Sequence, residues 1–499
     1  MIEKHYDVVI IGSGAGGGTA AQELGPLCDD GLKVAVLEWG PKFRDDEFSG
    51  RELEMARRLY VDAGGFLSAD GALTMAFARA YGGSTVVYTG TSIPIPEAAV
   101  ARWGVPGLSF ADLERRCRKH MAENNVHLLD DDKVNANNRL FFEACKTLGY
   151  RVEQFPVNLK GCRGSGMCNL GCPNAAKQGT HRVQLPAAER RGVEVITNCR
   201  VETIAERACT ATVTESPHGL PSAWAPGRYR IKAKAIVVAA GAVNSPALLL
   251  RSKLPAELPA LGRYFTCHPA LILVAQHERP LSNYFGHPKS YISEHFADRG
   301  FLLETCMYFP FTTAKSLTGF GPEHSRLMAH MDRLQMILSL ALDAARADNR
   351  VSIDKAGEPV LEYRLTDEVI AALVESMRAA TRIFFASGAS RVHAPAAQRF
   401  FIEKAEADRI DELIAPHHFK PGRVAVASAH PMGGCRMGAE PATSVCDSWG
   451  RVHGLPWLFV ADASLYPSCA GVNPYVTIMA MADRVAEGLR RDIAELRAA

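Results

Sequence analysis

Tyr6-Asp7-Val8-Val9-Ile10-Ile11-Gly12-Ser13-Gly14-Ala15-Gly16-Gly17-Gly18 is a short β-branched run that empties straight into glycines. The pattern predicts a strand over Tyr6–Ile11, a tight turn, and a helix over Thr19–Leu24. Lys33-Val34-Ala35-Val36-Leu37 reads as the returning strand and ends at Glu38. Gly12, Gly14 and Gly17 satisfy G-x-G-x-x-G where a strand gives way to a helix, the setting in which this motif binds a dinucleotide. The first glycine permits the turn, the second lets the backbone approach a pyrophosphate, and the third lets helix and strand pack closely. The helix N-terminus then offers free N–H groups and a positive dipole end to the phosphates. Glu38 stands where an acidic residue accepts hydrogen bonds from an adenosine ribose. The motif alone does not separate NAD from FAD.

Outward from this unit, 499 residues with 47% hydrophobic and 22% charged content are enough for two lobes or more. A formal net charge of +2, with no long run of like charge, excludes a nucleic-acid footprint and a polybasic membrane anchor. No apolar stretch reaches the roughly 18–20 residues that a membrane helix needs. Met1–Tyr6 run directly into the first strand without the longer apolar region of a signal peptide. Cytoplasmic synthesis is therefore expected, with export on a signal-bearing partner subunit left open. Thirteen cysteines, an odd number, argue against a disulfide framework.

Further along, Val193–Ile196 and Ala235–Ala240 read as buried strands, the second leading through Gly241 into a helix over Ser245–Leu250. From about Thr266 to Ala415 the character changes. Leu271–Val274 and Met336–Leu340 read as strands, and Val351–Ile353 and Val360–Tyr363 as a hairpin around Asp354–Gly357. Asp367–Ser387 has the apolar spacing of a long amphipathic helix. Leu458–Asp462 and Thr477–Ala494 return to strand and helix.

Three further segments carry a resemblance. They are Ala80-Tyr81-Gly82-Gly83-Ser84-Thr85, Gly241-Ala242-Val243-Asn244-Ser245-Pro246, and His430-Pro431-Met432-Gly433-Gly434-Cys435-Arg436-Met437-Gly438. The last is followed by Gly450–Gly454, Val460–Ser464 and Gly471–Pro474. In this order they resemble the glucose–methanol–choline (GMC) family of FAD oxidoreductases over nearly the whole chain. The stretch from His430 to Ala482 most resembles the cholesterol-oxidase-like branch and the bacterial sugar dehydrogenases.

The resemblance implies an α/β fold: a Rossmann-like FAD-binding domain of GMC/PHBH type with an inserted α+β substrate domain built on an antiparallel sheet. The FAD-binding domain is expected over 1–100, 180–265 and 416–499, a cap and cysteine-loop segment over 101–179, and the substrate domain over 266–415. It further implies FAD contacts from Gly12, Gly14, Ala15, Gly17 and Glu38 in the first unit, and from Gly82, Gly83 and Ser84 in the glycine–serine loop. Val201 and Ala240 correspond to positions on the cofactor's path, and Asp462, Ala463, Asn473 and Pro474 to positions near the flavin. Members that attach FAD covalently carry a histidine just after the glycine–serine loop. Val86-Val87-Tyr88 stand there, which implies non-covalent FAD, and Tyr88 replaces an asparagine common in the family.

The activity implied is oxidation of an alcohol by hydride transfer to the flavin. His430 is the expected base, since an imidazole titrates near neutrality. Asn473 is expected to hold the substrate oxygen, and the helix beyond it to point its positive end at the flavin. An oxygen-using alcohol or sterol oxidase and a non-redox FAD-containing lyase are the alternatives. A non-catalytic flavin-binding subunit is weaker, because the His430/Asn473 pair is intact.

Cys162, Cys168 and Cys172 sit in a glycine-rich loop that ends Cys172-Pro173. This is the look of an iron–sulfur ligand loop, and the spacing is similar to that of GMC sugar dehydrogenases carrying a [3Fe-4S] cluster. A zinc site short of one ligand, or three unligated thiols, are the other readings. A cluster would imply a dehydrogenase that hands electrons to an acceptor protein, such as a cytochrome or a small subunit.

Overall fold

The computed structural model describes residues 1–281 and 285–498. β1 (Ile2–Ile11) leads through the glycine turn into α1 (Ala15–Leu24), and β2 (Val34–Leu37) returns parallel to β1 with Val8 opposite Val34 and Ile11 opposite Leu37. Val8–Ile11 are all buried, as parallel strands covered on both faces require, whereas Ile2–Tyr6 are partly exposed. β3 (Glu194–Ile196) extends the sheet parallel to β2.

An antiparallel meander follows: β4 (Cys199–Ala205), β5 (Ala208–Val213) and β6 (Gly227–Val238). The sequence pattern anticipates only the apolar tail of β6, from Ala235, and neither β4 nor β5. The reason is amphipathicity: the first half of β6, Gly227-Arg228-Tyr229-Arg230-Ile231-Lys232, alternates between exposed and buried, a weaker signal than an apolar run. That first half pairs antiparallel with β5, while β6 runs parallel to β1 along its length. After Ala240, α2 (Gly241–Arg251) begins.

The second lobe is built, among the described residues, on a mainly antiparallel sheet of ten strands, in which Val426–Ser428 and Leu73–Met75 pair parallel. At its centre β7 (Ala270–Gln276) and β8 (Phe301–Thr305) flank β9 (Leu334–Ala341), with Ala270 opposite Leu340 and Phe301 opposite Ala341. Leu73–Met75, Glu153–Gln154 and Val426–Ser428 join this sheet from distant parts of the chain. The expected hairpin forms from Arg350–Ile353 and Pro359–Glu362. α3 (Asp367–Ala386), capped by the Thr366 hydroxyl accepting from Val369 N–H, buries Val369, Leu373, Met377 and Phe384 beside the sheet. Finally β10 (Leu458–Val460) pairs parallel with the apolar end of β6, and α4 (Tyr475–Ala498) packs against α1. Among the described residues, no helix is long and apolar enough to cross a membrane.

This is the α/β architecture that the sequence implies: a Rossmann-like unit joined to an α+β lobe on an antiparallel sheet. A cavity of about 450 Å³ is lined by residues of both sheets, from Ile11, Leu37 and Ala239 on one side to Ala270, Ile272 and Leu338 on the other.

Candidate active site

The glycine turn forms one wall of this cavity. Gly12 takes φ +101°, and a Cβ on it would lie 2.3 Å from the Ala239 carbonyl oxygen. A Cβ on Gly17 would lie 2.0 Å from the Gly12 carbonyl oxygen, so α1 is seated on the turn by the absence of a side chain. Gly16, outside the motif's invariant positions, is tighter still: its Cβ would lie 1.8 Å from the oxygen of Ala461, at the end of β10. Gly14 differs. A Cβ there meets nothing nearer than the Gly83 Cα at 3.9 Å, and Gly14 lines the cavity beside Ala15. Backbone open to the cavity at a helix N-terminus is the cradle that a dinucleotide pyrophosphate needs.

Ser13 ties the glycine–serine loop to this turn. Its hydroxyl donates to Glu38 at 2.6 Å and accepts from Gly82 N–H at 2.9 Å. Gly83 and Ser84 line the cavity, whereas Gly82 and Gly17 lie behind it. Glu38 is buried on the cavity wall and accepts from Ser13 and Gly40 N–H. Burial pushes its carboxyl up to about 7 against these hydrogen bonds. Val201 on β4 and Ala240 also line the cavity. Asp462 accepts from Gly241 N–H at 2.8 Å and from the Ser245 and Ser464 hydroxyls, so it caps α2 while facing the cavity. Burial raises its pKa. Ala463, Asn473 and Pro474 complete this wall, and α4 starts at Tyr475, pointing its N-terminal end at the cavity.

His430 and Asn473 stand together at the far side, Nε2 of His430 lying 3.4 Å from Nδ2 of Asn473. The Oδ1 of Asn473 is buried without a hydrogen-bond partner, while its Nδ2 is the atom nearest His430. Behind His430 stands a residue that sequence reasoning missed. His268 places its Nδ1 2.9 Å from Nδ1 of His430, the rings near-perpendicular at 87°, and its Nε2 2.9 Å from the Cys469 sulfur. Burial pushes both imidazoles down to about 3, with the Lys289 charge adding to the effect on His430 and the His430 charge to that on His268. Burial likewise pushes the Cys469 thiol up to about 12. One tautomer satisfies the whole row: His430 donates from Nδ1 to His268, His268 donates from Nε2 to Cys469, and Nε2 of His430 keeps its lone pair toward the cavity. The signal available in sequence was faint. His268-Pro269 repeats the dipeptide His430-Pro431, and Thr266 and Met432 exchange both backbone hydrogen bonds at 2.9 Å.

Lys289, also missed, lines the cavity and donates to Glu304 at 2.6 Å. The second lobe thus supplies a charged group as well as the apolar residues Ile272, Leu338 and Leu340.

Cys162, Cys168 and Cys172 line a second, small cavity of about 10 Å³ together with Met167 and His287. Gly164 N–H donates to the Cys162 sulfur at 3.4 Å and Ala176 N–H to the Cys172 sulfur at 3.3 Å. Among the described residues the three sulfurs do not gather within 4.8 Å of one another, as ligands of a single ion would. His181, the next histidine along the chain, does not line this cavity, and His287, which does, donates from Nε2 to the Thr89 carbonyl and accepts at Nδ1 from Lys289 N–H. That geometry disfavours the zinc reading.

Family models described as GMC oxidoreductase match residues 56–270 and 345–482. A GMC-type oxidoreductase of Mycobacterium tuberculosis is 34% identical over 493 residues, covering 96% of this chain and 75% of that protein. A long-chain-alcohol oxidase of Arabidopsis thaliana is 27% identical, covering 95% of this chain and 66% of the relative. Among solved structures, pyridoxine 4-oxidase from Mesorbium loti superposes with a TM-score of 0.72 at 18% identity, over 97% of this chain and 99% of the other. Formate oxidase superposes with a TM-score of 0.73 at 14% identity, over 99% and 100%. These two likenesses are of fold.

Proposed function

This chain belongs to the GMC oxidoreductase family of FAD flavoenzymes, and on that premise we propose that it oxidises an alcohol with His430 as the base and Asn473 as the hydrogen-bonding partner of the substrate oxygen. The observation that carries this reading is that His430 and Asn473 stand together on the wall of one cavity, Nε2 and Nδ2 3.4 Å apart, with His268 and Cys469 in a row behind His430. FAD, held non-covalently, supplies the hydride acceptor. Gly14, Ala15 and the N-terminus of α1 take its pyrophosphate, Glu38 its ribose and Val201 its adenine, with Asp462, Ala463 and Pro474 nearer the flavin.

The chain's own residues then do the proton chemistry. Neutral His430 accepts the hydroxyl proton at Nε2. Asn473 fixes the oxygen in reach of that nitrogen, so the carbinol carbon is oriented before any bond changes. His268 fixes the ring of His430 and sets which nitrogen holds its proton. The apolar wall of Ile272, Leu338 and Leu340 excludes water from the reacting end.

A dehydrogenase is the reading we favour over an oxidase, on one observation. Cys162, Cys168 and Cys172 line a single cavity, and the next residues, Asn169 and Leu170, line the cofactor cavity. A [3Fe-4S] cluster on these thiols would give electrons an exit toward an acceptor protein. Two measurements test the whole reading. Mixing alcohols anaerobically with the purified protein should bleach the flavin, and no bleaching with any alcohol would favour the lyase. Iron and sulfide analysis of the same sample should find both, and a flavin-only protein would remove the cluster and the argument for a dehydrogenase.

A further inference from the structure

Lys177 is fully buried, with 0% of its surface exposed, yet no carboxylate pairs with it among the described residues. Its Nζ donates to three carbonyl oxygens instead: Val86 at 2.6 Å, Tyr88 at 2.7 Å and Cys168 at 2.5 Å. An ammonium has three donors and no acceptor, so three carbonyls match it. A neutral amine would turn a lone pair onto one of those oxygens. The cage therefore favours the cation, working against the burial that pulls the amine's pKa down to about 8.

The position of this charge is informative. Val87 and Tyr88 line the cofactor cavity, and Cys168 lines the thiol cavity. The wall between them is stitched by Asn169 Nδ2 donating to the Val87 oxygen at 3.0 Å and by the Tyr60 hydroxyl donating to the Asn169 oxygen at 2.7 Å. Lys177 is built into that wall, its Nζ 5.5 Å from the centre of the Tyr88 ring. No group of the proposed proton chemistry touches it.

We infer that Lys177 is a fixed counter-charge for electrons entering the cofactor cavity, making the bound flavin easier to reduce. It acts through the field across the wall and is a positioning residue rather than one that touches substrate. The inference rests on the placement of FAD proposed above. A positive charge in a low-dielectric wall acts over about 10 Å with an energy worth roughly tenfold in an equilibrium.

The probe is sulfite, which adds as an anion to oxidised flavin and so reports positive charge near it. Its dissociation constant and the flavin midpoint potential should be measured on FAD-loaded wild type, Lys177→Gln, Lys177→Met and Lys177→Arg. Glutamine keeps two donors for the cage without the charge, and arginine keeps the charge. Sulfite binding about tenfold weaker and a more negative potential in the Gln and Met variants, with Arg near wild type, is the expected result. Wild-type values in Lys177→Gln would overturn the inference, because a lysine that merely braces the wall leaves both readouts unmoved. Should Lys177→Met fail to fold, Lys177→Gln carries the test. Wild type purified without flavin would strike at the placement of FAD instead. Iron content separates the remaining case: a flavin-only protein that still loses sulfite affinity in Lys177→Gln keeps this inference and loses the cluster.

Discussion

At the His430 end of the large cavity charge has been taken away, and at the wall beside Cys168 it has been kept. Burial holds His430 and His268 near 3, far below the ordinary imidazole range, and holds the Cys469 thiol protonated near 12, so the row is neutral at pH 7. Lys177 instead sits in a three-carbonyl cage, which keeps an ammonium where, among the described residues, no carboxylate pairs with it. The difference follows the chemistry proposed for each region. A proton acceptor needs a free lone pair, which desolvation preserves, whereas an electron acceptor gains from a positive field, which desolvation strengthens.

The contrast is broken most directly at its neutral end. His430→Ala should slow anaerobic flavin reduction by at least about 100-fold while FAD stays bound. A rate near wild type would remove His430 from the mechanism and leave the neutral row without a purpose. The glycines sharpen the comparison next, because two neighbours should fail differently. Gly16→Ala forces a Cβ into the Ala461 carbonyl and should cost roughly 1–3 kcal/mol or more in unfolding experiments on the apo-protein. Gly14→Ala has room, so it should leave apo stability near wild type and weaken FAD binding instead. Equal stability losses in the two would erase the distinction between a packing glycine and a cofactor-facing one.

Glu38→Gln comes third, with FAD affinity about tenfold weaker by equilibrium titration, the scale of a lost charge-assisted hydrogen bond. Unchanged affinity would confine Glu38 to holding Ser13 and Gly40. The smallest expected effect is in pH. With His430 held near 3, flavin reduction should show no acid limb from this group between pH 8 and pH 5. An acid limb near 6.5 would show that the base is not desolvated. Stability carries the matching sign: the folded pKa lies below the ordinary imidazole value of 6.5, so the two histidines' contribution is present above 6.5 and drains away as pH falls toward 3. Unfolding titrations across that window check it.

Some of this was legible in one dimension. Gly12, Gly14 and Glu38 are spaced as the strand–turn–helix unit demands, and His430 and Asn473 lie in segments whose order identifies the family. Gly16 was not marked, because the carbonyl it must avoid belongs to Ala461, more than four hundred residues away. β4 and β5 escaped notice because their residues alternate or carry threonines rather than forming an apolar run.

Local spacing by itself determined the dinucleotide turn, the family and the proposed catalytic pair, since those depend on backbone geometry within a few residues or on motifs that recur intact. Only the tertiary structure decided that His268 backs His430, that Cys469 ends their row, and that Lys177 stands between two cavities. Each of these rests on contacts between segments far apart in sequence: burial turns an ordinary histidine into a neutral base, and a cage of carbonyl oxygens keeps a lysine charged against burial.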